Sequence, residues 1–576
     1  MNIKFQSGLL LAALPLMLGG CYEDKGNYDY HEINDIVITT SEYSYTTPKE
    51  GMTNTVVIAP TITQTMTTGT ENLAYEWKRQ VGTLSWEVVG HEPTYTLTVT
   101  SSDTQPIVLR LAVTDTTLDI ITYEEITVKP IFKFNQSWFL LQNINGQAVL
   151  GCVDGEGNAR ESTQDVYQRE TGASLAGSPI GLGMHNFLRT SAVTELEPNY
   201  DIMLGVFTSS NPYILKGATL ENHKYDYWRL LYEKKVKGDM TANPQIMKGD
   251  RKNFAIVDNG KLWYALPDEL ALMYPIKLSD KLGGGDNYQV KGVSFSSSSQ
   301  CLIYDATGNR FLTYSNTALG EGYNTRKRIV NGGTSQYDAY LNENDVNRSE
   351  KIEPIEAGSV PNAFDPETSV PSGFVLDYMG KASGNHNLTT LAIGHVGQQF
   401  SIFEFCPDAL TNSYIEGMAV CNQMWSVASQ GTPTTASDGK WQVTTSSYFE
   451  RMFFYAAGNT VYRVDLTQSV PAVEVVYETN PEDGAIKLMK LKSDNEDIAY
   501  NVDSTGATQE IPTKEIIRHL GILQEDTDGN ATLVEIHLTA AGEVEIDSQT
   551  NEQVVYKFDG GFKNVVDMLF SFRDEI

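Results

Sequence analysis

The sequence has few cysteines, few histidines and few basic residues, and after its first 20 residues it has no long apolar run. Five Cys and eight His are spread over 576 residues, without the spacings of zinc sites. The 42 Lys and Arg are outnumbered by 73 Asp and Glu, giving a net charge of −31. Electrostatic attraction to nucleic acid or to an anionic lipid surface is therefore excluded as the main function.

Catalytic signatures are also missing. No Gly-x-Ser-x-Gly elbow occurs, and Gly283-Gly284-Gly285 lacks the Lys-Ser/Thr of a phosphate-binding loop. Two oxygen-rich segments, 526–530 and 154–158, lack the complete ligand spacing of a Ca²⁺ loop and are read as turns, with weak Ca²⁺ binding as the alternative. We therefore predict no catalytic residue, no metal site and no cofactor.

What is present first is an export signal. Lys4 precedes an apolar run from Leu9 to Leu18, which is too short for a membrane-spanning helix of about 20 residues. The run ends in Leu18-Gly19-Gly20-Cys21, where small residues before a cysteine form a lipobox. Residues 1–20 are thus predicted to be a lipoprotein signal peptide, and Cys21 the site of lipid attachment. The lipid is then the only membrane contact.

The segment 21–33 is predicted to be a flexible tether. Its acidic start, Glu23-Asp24, resembles the surface-export signal of SusC/SusD-type nutrient-uptake systems. That resemblance implies an outer-membrane protein facing the extracellular medium.

Residues 34–130 alternate between short strands and turns. Leu109, Leu111 and Val113 are predicted to face one way and Arg110 the other. About seven strands in about 100 residues are typical of an immunoglobulin-like β-sandwich. The predicted strands begin near positions 36, 56, 73, 85, 95, 108 and 120.

Two motifs in this region carry a resemblance to a known family. Tyr75-Glu76-Trp77 and the later Val113-Thr114-Asp115 resemble strand motifs of PKD-type domains, and residues 21–30 resemble the start of PKD-like family lipoproteins. The resemblance implies an accessory lipoprotein beside a SusC-like TonB-dependent transporter and a SusD-like lipoprotein. It implies no catalytic residues, so Trp77 is interpreted as a core residue.

After Pro130 hairpin-like units recur, each with a Gly, Asn or Asp turn between two apolar runs. Such repetition favours a β-propeller of seven blades over residues 131–576, with two further β-sandwiches as the alternative. The chain is therefore predicted to be all-β. The hairpins join 139–141 to 148–150, 202–206 to 213–215, 254–257 to 262–264, 301–304 to 311–314, 391–393 to 400–403, 453–455 to 461–464 and 532–538 to 544–546.

Candidate binding residues are few. Tyr225, Tyr227 and Trp228 form an aromatic cluster that could stack on a sugar or peptide, with packing inside a blade as the alternative. Cys406 and Cys421 are close in sequence, so an exported chain could join them in a disulfide.

These features together predict a non-enzymatic surface lipoprotein that binds oligosaccharide or peptide nutrients for a SusC/SusD-type system. A surface glycoside hydrolase or lyase on the same propeller is the alternative, because the carboxylates of such enzymes come together only in the folded chain.

Overall fold

The structure is a computed structural model that describes residues 34–572, apart from several internal segments. The predicted signal peptide 1–20, the predicted lipid-attachment residue Cys21 and the predicted tether 21–33 lie outside the described residues. Within the described part of the chain, no helix is long and apolar enough to span a membrane. The internal segments left out are 47, 49–50, 83, 101–102, 104–105, 132–133, 135, 155–159, 189–199, 218, 224–225, 232–240, 251–252, 266–274, 296–299, 316–329, 332–333, 336–350, 356–362, 385–386, 407–419 and 493–517.

The chain packs as two compact units, Met1–Pro130 and Ile131–Ile576. The smaller unit contains three antiparallel sheets, ordered β2-β9-β8-β5-β6, β1-β4 and β3-β7. Its strands are β1 (Ile36–Thr39), β2 (Tyr43–Thr46), β3 (Thr53–Ile58), β4 (Thr61–Gln64), β5 (Leu73–Val81), β6 (Ser85–Gly90), β7 (Tyr95–Thr100), β8 (Ile107–Asp115) and β9 (Ile120–Ile131).

One core holds the smaller unit together. Leu109, Leu111 and Val113 alternate along β8 and are fully buried, which confirms the predicted strand face. Trp77 is also fully buried, and its indole Nε1 donates to the carbonyl of Glu92 at 2.8 Å. The core interpretation of Trp77 is confirmed.

The larger unit is almost entirely antiparallel sheet. Its helices are short, α1 (Val166–Thr171) and α2 (Tyr227–Leu230), with single 3₁₀ turns at Asp280–Leu282 and Pro481–Asp483. Its strands are β10 (Gln136–Ile144), β11 (Gln147–Asp154), β12 (Glu161–Thr163), β13 (Pro179–Leu188), β14 (Tyr200–Thr208), β15 (Pro212–Lys216), β16 (Pro244–Asp250), β17 (Asn253–Asp258), β18 (Lys261–Ala265), β19 (Val290–Phe295), β20 (Gln300–Asp305), β21 (Arg310–Ser315), β22 (Val330–Asn331), β23 (Thr334–Ser335), β24 (Ile352–Pro354), β25 (Val375–Gly384), β26 (Asn387–Val396), β27 (Gln399–Phe405), β28 (Cys421–Ala428), β29 (Val443–Thr444), β30 (Met452–Ala457), β31 (Thr460–Asp465), β32 (Ala472–Glu478), β33 (Ala485–Leu491), β34 (His519–Glu525), β35 (Asn530–His537), β36 (Val555–Lys563) and β37 (Val565–Phe572).

Among the described residues these strands form seven sheets of three or four strands, besides the two-residue pair β22-β23. One of these sheets joins the two ends of the larger unit, because its last strand, β37, pairs with its first strand, β10. In chain order the sheets are β37-β10-β11-β12, β13-β14-β15, β16-β17-β18, β19-β20-β21-β24, β25-β26-β27-β28, β29-β30-β31-β32 and β33-β34-β35-β36, numbered here as sheets 1 to 7.

The first strand of each sheet in this order is called its inner strand. Inner strands contact one another in a cycle, β37-β13-β16-β19-β25-β29-β33 and back to β37. Repetition of small meander sheets with contacting inner strands gives the larger unit a propeller-like fold. Two separate β-sandwiches do not describe this arrangement.

Turn chemistry explains why the hairpins form where the sequence places them. Asn145 and Gly146, which join β10 to β11, both have positive φ, at 53° and 84°. Two consecutive left-handed residues make the turn whose twist matches paired strands, and Asn-Gly suits it best. Six of the seven predicted hairpins are confirmed, one in each of sheets 1 to 6.

The seventh predicted hairpin is wrong, because its first strand pairs with other strands than the one predicted. Strand β35 pairs with β34 and β36, and the turn that starts it is Asp526–Asn530 rather than Ala541-Gly542. The Ala541-Gly542 turn leads only to an isolated bridge between Leu538 and Val544. A local turn signal marks a reversal of the chain but does not determine the strand that pairs next to it.

Glycines allow inner strands to approach closely. A Cβ atom on Gly249 of β16 would overlap the ring of His185 on β13. Likewise, a Cβ on Gly292 of β19 would overlap Leu376 of β25. At these two contacts, a side chain of one inner strand occupies the space above a glycine of its neighbour, so the two strands approach closely.

Candidate functional site

A cavity of about 480 Å³ lies at the centre of the larger unit. Residues on or next to the inner strands of all seven sheets line it. Its volume falls in the range of small-molecule sites, roughly 300–1,000 Å³. We call it the central cavity.

Lysines are concentrated in this wall. Five of them line the central cavity: Lys248 on β16, Lys291 on β19, Lys440 just before β29, Lys490 on β33 and Lys492 directly after it. Three aspartates, Asp377, Asp438 and Asp567, line it as well. The wall therefore carries more positive than negative formal charge, although the whole chain has a net charge of −31.

Asp567 is occupied by protein donors. Its Oδ1 accepts from Lys490 Nζ at 2.8 Å, and its Oδ2 accepts from the backbone N–H of Leu182 at 2.8 Å. These contacts tie the inner strands of sheets 7, 1 and 2 together at the cavity wall. Little capacity is left on this carboxylate for a ligand.

Asp377 is occupied in a similar way by a histidine and a backbone amide. Its carboxylate is fully buried and accepts from His395 Nδ1 at 2.8 Å and from the N–H of Trp441 at 2.8 Å. Burial raises the pKa of Asp377, and the bond from His395 acts in the opposite direction. The imidazole stacks on the Trp441 indole with ring centroids 3.9 Å apart. Asp377 and His395 thus hold Trp441 in place at the cavity wall.

Behind the wall, Glu535 forms the centre of a buried charge cluster. The fully buried carboxylate lies 2.6 Å from Arg160 Nη1, 2.9 Å from Lys492 Nζ and 2.7 Å from Trp138 Nε1. Despite its burial, the Coulombic attraction of Lys492 and the bonds from His537 and Arg160 hold the pKa of Glu535 well below its usual range. The cluster places two basic side chains on one carboxylate, and of these the Arg160 guanidinium is always charged.

His519 and His537 complete the buried charge cluster. Their rings stack with centroids 3.4 Å apart, and Lys492 Nζ lies 3.2 Å from His519 Nδ1. Burial lowers the pKa of His519, and the charge of Lys492 lowers it further. His519 is therefore neutral at physiological pH.

The buried charge cluster has metal-ligand residues but not a metal site. Ligand atoms of His519, Glu535 and His537 lie within 4.8 Å of one another, the one such group among the described residues. The ammonium of Lys492 already lies against both Glu535 and His519, in the space a cation would need. A divalent ion there would face two cations at close range, so the residues do not fit a metal. The described residues give no evidence of a cofactor.

Of the two oxygen-rich segments, 526–530 lies within the described residues. Asp526 uses its oxygens on its own turn, accepting from the backbone of Asp528 and from the backbone and side chain of Asn530. The turn interpretation of 526–530 is confirmed. Residues 155–158 of the other segment lie outside the described part of the chain.

The aromatic cluster predicted to bind ligand does not line the central cavity. Tyr227 is fully buried, and its hydroxyl donates to the carboxylate of Asp258. Trp228 is half-buried and packs edge-on against Tyr227 with centroids 5.7 Å apart. Tyr225 lies outside the described residues. Tyr227 therefore packs inside the unit, as the packing alternative proposed, because its polar end has a buried partner.

The suggested disulfide is absent. Cys406 and Cys421 are both buried thiols, as are Cys152 and Cys301. Burial raises the pKa of Cys421 to about 12. Cys421 lies opposite Phe405 in the ladder between β27 and β28, so it is a neighbour of Cys406 without being bonded to it.

Sequence reasoning missed the lysines of the central cavity. The available signal was a short repeat in which lysine adjoins glycine, as in Lys248-Gly249, Lys291-Gly292 and Gly439-Lys440. Each pair lies on or just before an inner strand, and the lysine of each pair lines the central cavity. Gly249 and Gly292 also permit the close approach of a neighbouring inner strand.

Comparison with known proteins gives one family match. The model of the PKD-like family matches residues 21–179, so it starts at Cys21 and continues past Pro130 into sheet 1 and α1. The amino-terminal part of the chain is thus PKD-like. No curated protein sequence matches the chain.

Solved structures are similar only at low identity. A quinoprotein alcohol dehydrogenase-like protein from Bacteroides thetaiotaomicron is 10% identical, with 93% of this chain and 99% of that chain covered and a TM-score of 0.36. Apo AztD from Citrobacter koseri is 8% identical, covering 86% and 98%, with a TM-score of 0.29. The NanB sialidase from Streptococcus pneumoniae is 9% identical, covering 80% and 57%, with a TM-score of 0.20.

Proposed function

We propose that this chain is an outer-membrane lipoprotein that faces the medium and binds nutrient for a SusC/SusD-type TonB-dependent uptake system. Its lipid is attached to Cys21. Its larger unit is a seven-bladed β-propeller that holds the ligand in the central cavity and does not transform it. The ligand is an oligosaccharide or a peptide. The observation that carries the proposal is the central cavity, with lysines converging on it from four inner-strand regions.

The sequence before and after Cys21 supports the anchoring. The lipobox Leu18-Gly19-Gly20-Cys21 precedes an acidic start, Glu23-Asp24. The family match begins at Cys21, the residue at which a lipidated chain would begin after signal-peptide removal.

The strand pairings support the propeller. Seven sheets each contribute one inner strand to a cycle of contacts, and the last strand of the chain, β37, completes the sheet begun by β10. Joining the two ends of the larger unit within one sheet is an efficient way to close such a ring, since no inner strand of the described residues is left unpaired.

The state of the cavity aspartates supports binding over hydrolysis. A glycoside hydrolase needs two carboxyl groups free to act on the substrate. Of the three aspartates that line the central cavity, Asp377 and Asp567 are held by protein donors. Asp438 is exposed and pairs loosely with Lys440 at 3.6 Å. Among the described residues, the lining therefore lacks the free pair on which the hydrolase alternative depends.

The test is purification of the tagged chain from outer membranes in mild detergent, with mass spectrometry of its partners and of any small molecule that it retains. We expect a TonB-dependent transporter and a SusD-like lipoprotein in near-equal amounts. A tagged outer-membrane lipoprotein without the PKD-like region serves as the control for non-specific capture.

Two results would contradict the proposal. Recovery of the chain without any transporter would remove the uptake role. Turnover of a glycan by the purified chain would instead support the hydrolase or lyase alternative, and replacement of Asp438 by Asn would then identify the acid involved.

A further inference from the structure

The lysines of the central cavity are not all neutralised. Lys490 is paired with Asp567, and Lys492 is paired with Glu535. Among the described residues, Lys248 and Lys291 have no carboxylate within ion-pair distance. Lys248 donates instead to the carbonyl of Met379 at 3.3 Å. Two adjacent inner strands, β16 and β19, thus each bring an uncompensated ammonium to the same cavity.

The buried charge cluster adds to this positive potential. Glu535 supplies one negative charge to both Arg160 and Lys492, and His519 is held neutral by burial. Two basic side chains thus share one carboxylate beside the cavity. Charges that line a cavity are screened less than surface charges, so their field acts on whatever occupies it.

A bound anion would offset the cost of holding these ammonium groups away from bulk water. Partly desolvated cations are unfavourable unless paired, and carboxylates are their common partners. The acidic exterior of the chain, with 73 Asp and Glu against 42 Lys and Arg, makes the lysine-lined cavity the natural place for such a ligand. The ligand must then present at least two negative groups, one for each uncompensated lysine.

The shape of the wall distinguishes a compact ligand from an extended one. An extended peptide binds by pairing along a single strand edge. Here each inner strand contributes only a few residues, such as Gln245–Lys248 on β16 and Lys291–Val293 on β19. A ligand in the central cavity is therefore contacted from several sides over a short length, which suits sugar rings.

We propose that the central cavity binds an acidic oligosaccharide whose rings carry carboxylates, with Lys248 and Lys291 as the residues that recognise them. This inference rests on the proposed function, because it names the ligand class of the same cavity. It assigns the binding role to residues on β16 and β19 rather than to the aromatic cluster near Tyr227.

The experiment compares three probes on the purified full-length chain by isothermal titration calorimetry. They are a trimer of galacturonic acid, its fully methyl-esterified form of nearly the same shape, and a hexaglutamate peptide. We expect the trimer to bind at least about tenfold more tightly than the ester, since the ester has no carboxylate to form charge-assisted contacts with Lys248 and Lys291. Affinity for the trimer should fall as salt is raised.

Matched lysine variants locate the site. Lys248→Gln and Lys291→Gln should each weaken trimer binding by about tenfold or more. Lys281→Gln is the control, because Lys281 is 70% exposed in its side chain and pairs with Glu353 outside the cavity. Thermal unfolding of all three variants should match the parent chain, which separates loss of binding from loss of folding.

Each alternative outcome has a distinct meaning. Equal binding of the ester, or binding that Lys248→Gln and Lys291→Gln leave unchanged, would overturn the acidic-ligand inference and leave the uptake function standing. Tighter binding of hexaglutamate would overturn the sugar class. If no probe binds but the transporter still co-purifies, the inference fails alone; if the transporter is missing too, both proposals fail.

Discussion

Lys490 Nζ lies 2.8 Å from Asp567 Oδ1, so a single ion pair links the inner strand of sheet 7 to the inner strand of sheet 1. Asp567 lies on β37, the carboxyl-terminal strand that pairs with β10 at the start of the larger unit. Because Asp567 also accepts from the backbone of Leu182 on β13, it contacts both neighbours of its own sheet. The position where the two ends of the unit meet is therefore held by more than backbone pairing.

We expect Asp567→Asn to destabilise the larger unit by about 1.5–3 kcal/mol, the usual range for hydrogen bonds to a charged group. Asp559→Asn is the control, since Asp559 is exposed on β36. The measurement is urea unfolding followed by tryptophan fluorescence. Equal effects of the two substitutions would mean that the ion pair does not stabilise the junction.

Glu535→Gln should be more damaging. The substitution leaves Arg160 and Lys492, which are both almost fully buried, without their shared carboxylate. Removing one partner of a buried ion pair costs about 3–5 kcal/mol. Glu525→Gln tests the same chemical change near the surface, where loss of the pair with Lys487 should cost about 1 kcal/mol or less. If the two variants unfold at the same urea concentration, the role given to the buried charge cluster is contradicted.

Much of the fold could be predicted from local sequence. The alternation of Leu109, Leu111 and Val113 defined a buried strand face, and turns containing Gly, Asn or Asp located hairpins in six sheets. Both signals act over fewer than about ten residues, which is why a single sequence reveals them. The pairing of β37 with β10 joins residues at opposite ends of the unit, and no local pattern encodes it.

The candidate site was less predictable for the same reason. Lys248, Lys291 and Lys490 are far apart in sequence and come together only through the cycle of inner strands. Tyr227, by contrast, lies in a dense local aromatic cluster, yet its hydroxyl is bonded to buried Asp258. Local density of aromatic residues indicates packing as readily as binding, since both uses favour the same side chains.

The buried thiols give a prediction that can be checked without mutation. Cys152, Cys301, Cys406 and Cys421 are all buried, and burial raises the pKa of Cys421 to about 12. A thiol that is both buried and protonated reacts slowly with electrophiles. We expect no labelling of these four residues by a maleimide in the native chain and complete labelling in guanidinium chloride. A mass two units lower after unfolding without reductant, with Cys406 and Cys421 identified by peptide mapping as the two unlabelled residues, would show that they form a disulfide.

His185 gives the larger unit a specific dependence on pH. The ring is buried on β13 and stacks on Phe254 with centroids 4.3 Å apart, and burial lowers the pKa of His185 to about 3. In the unfolded chain the pKa is near 6.5, so the unfolded state takes up a proton first as the pH falls. The stability that the neutral ring contributes is therefore complete above about pH 6.5 and is lost progressively between about pH 6.5 and 3.

The expected slope is about 1.4 kcal/mol per pH unit within that window, for this one residue. Acidic groups also make the free energy of unfolding depend on pH. The contribution of His185 is therefore obtained as the difference between the parent chain and a variant. The free energy of unfolding is determined at several pH values between about 6 and 4 for the parent chain and for His185→Gln, which cannot titrate there. The variant should be less stable at neutral pH but should lose stability less steeply on acidification. His91→Gln, which replaces an exposed histidine, should keep the slope of the parent. Parallel slopes for the parent and His185→Gln would mean that His185 takes up its proton without unfolding of the larger unit.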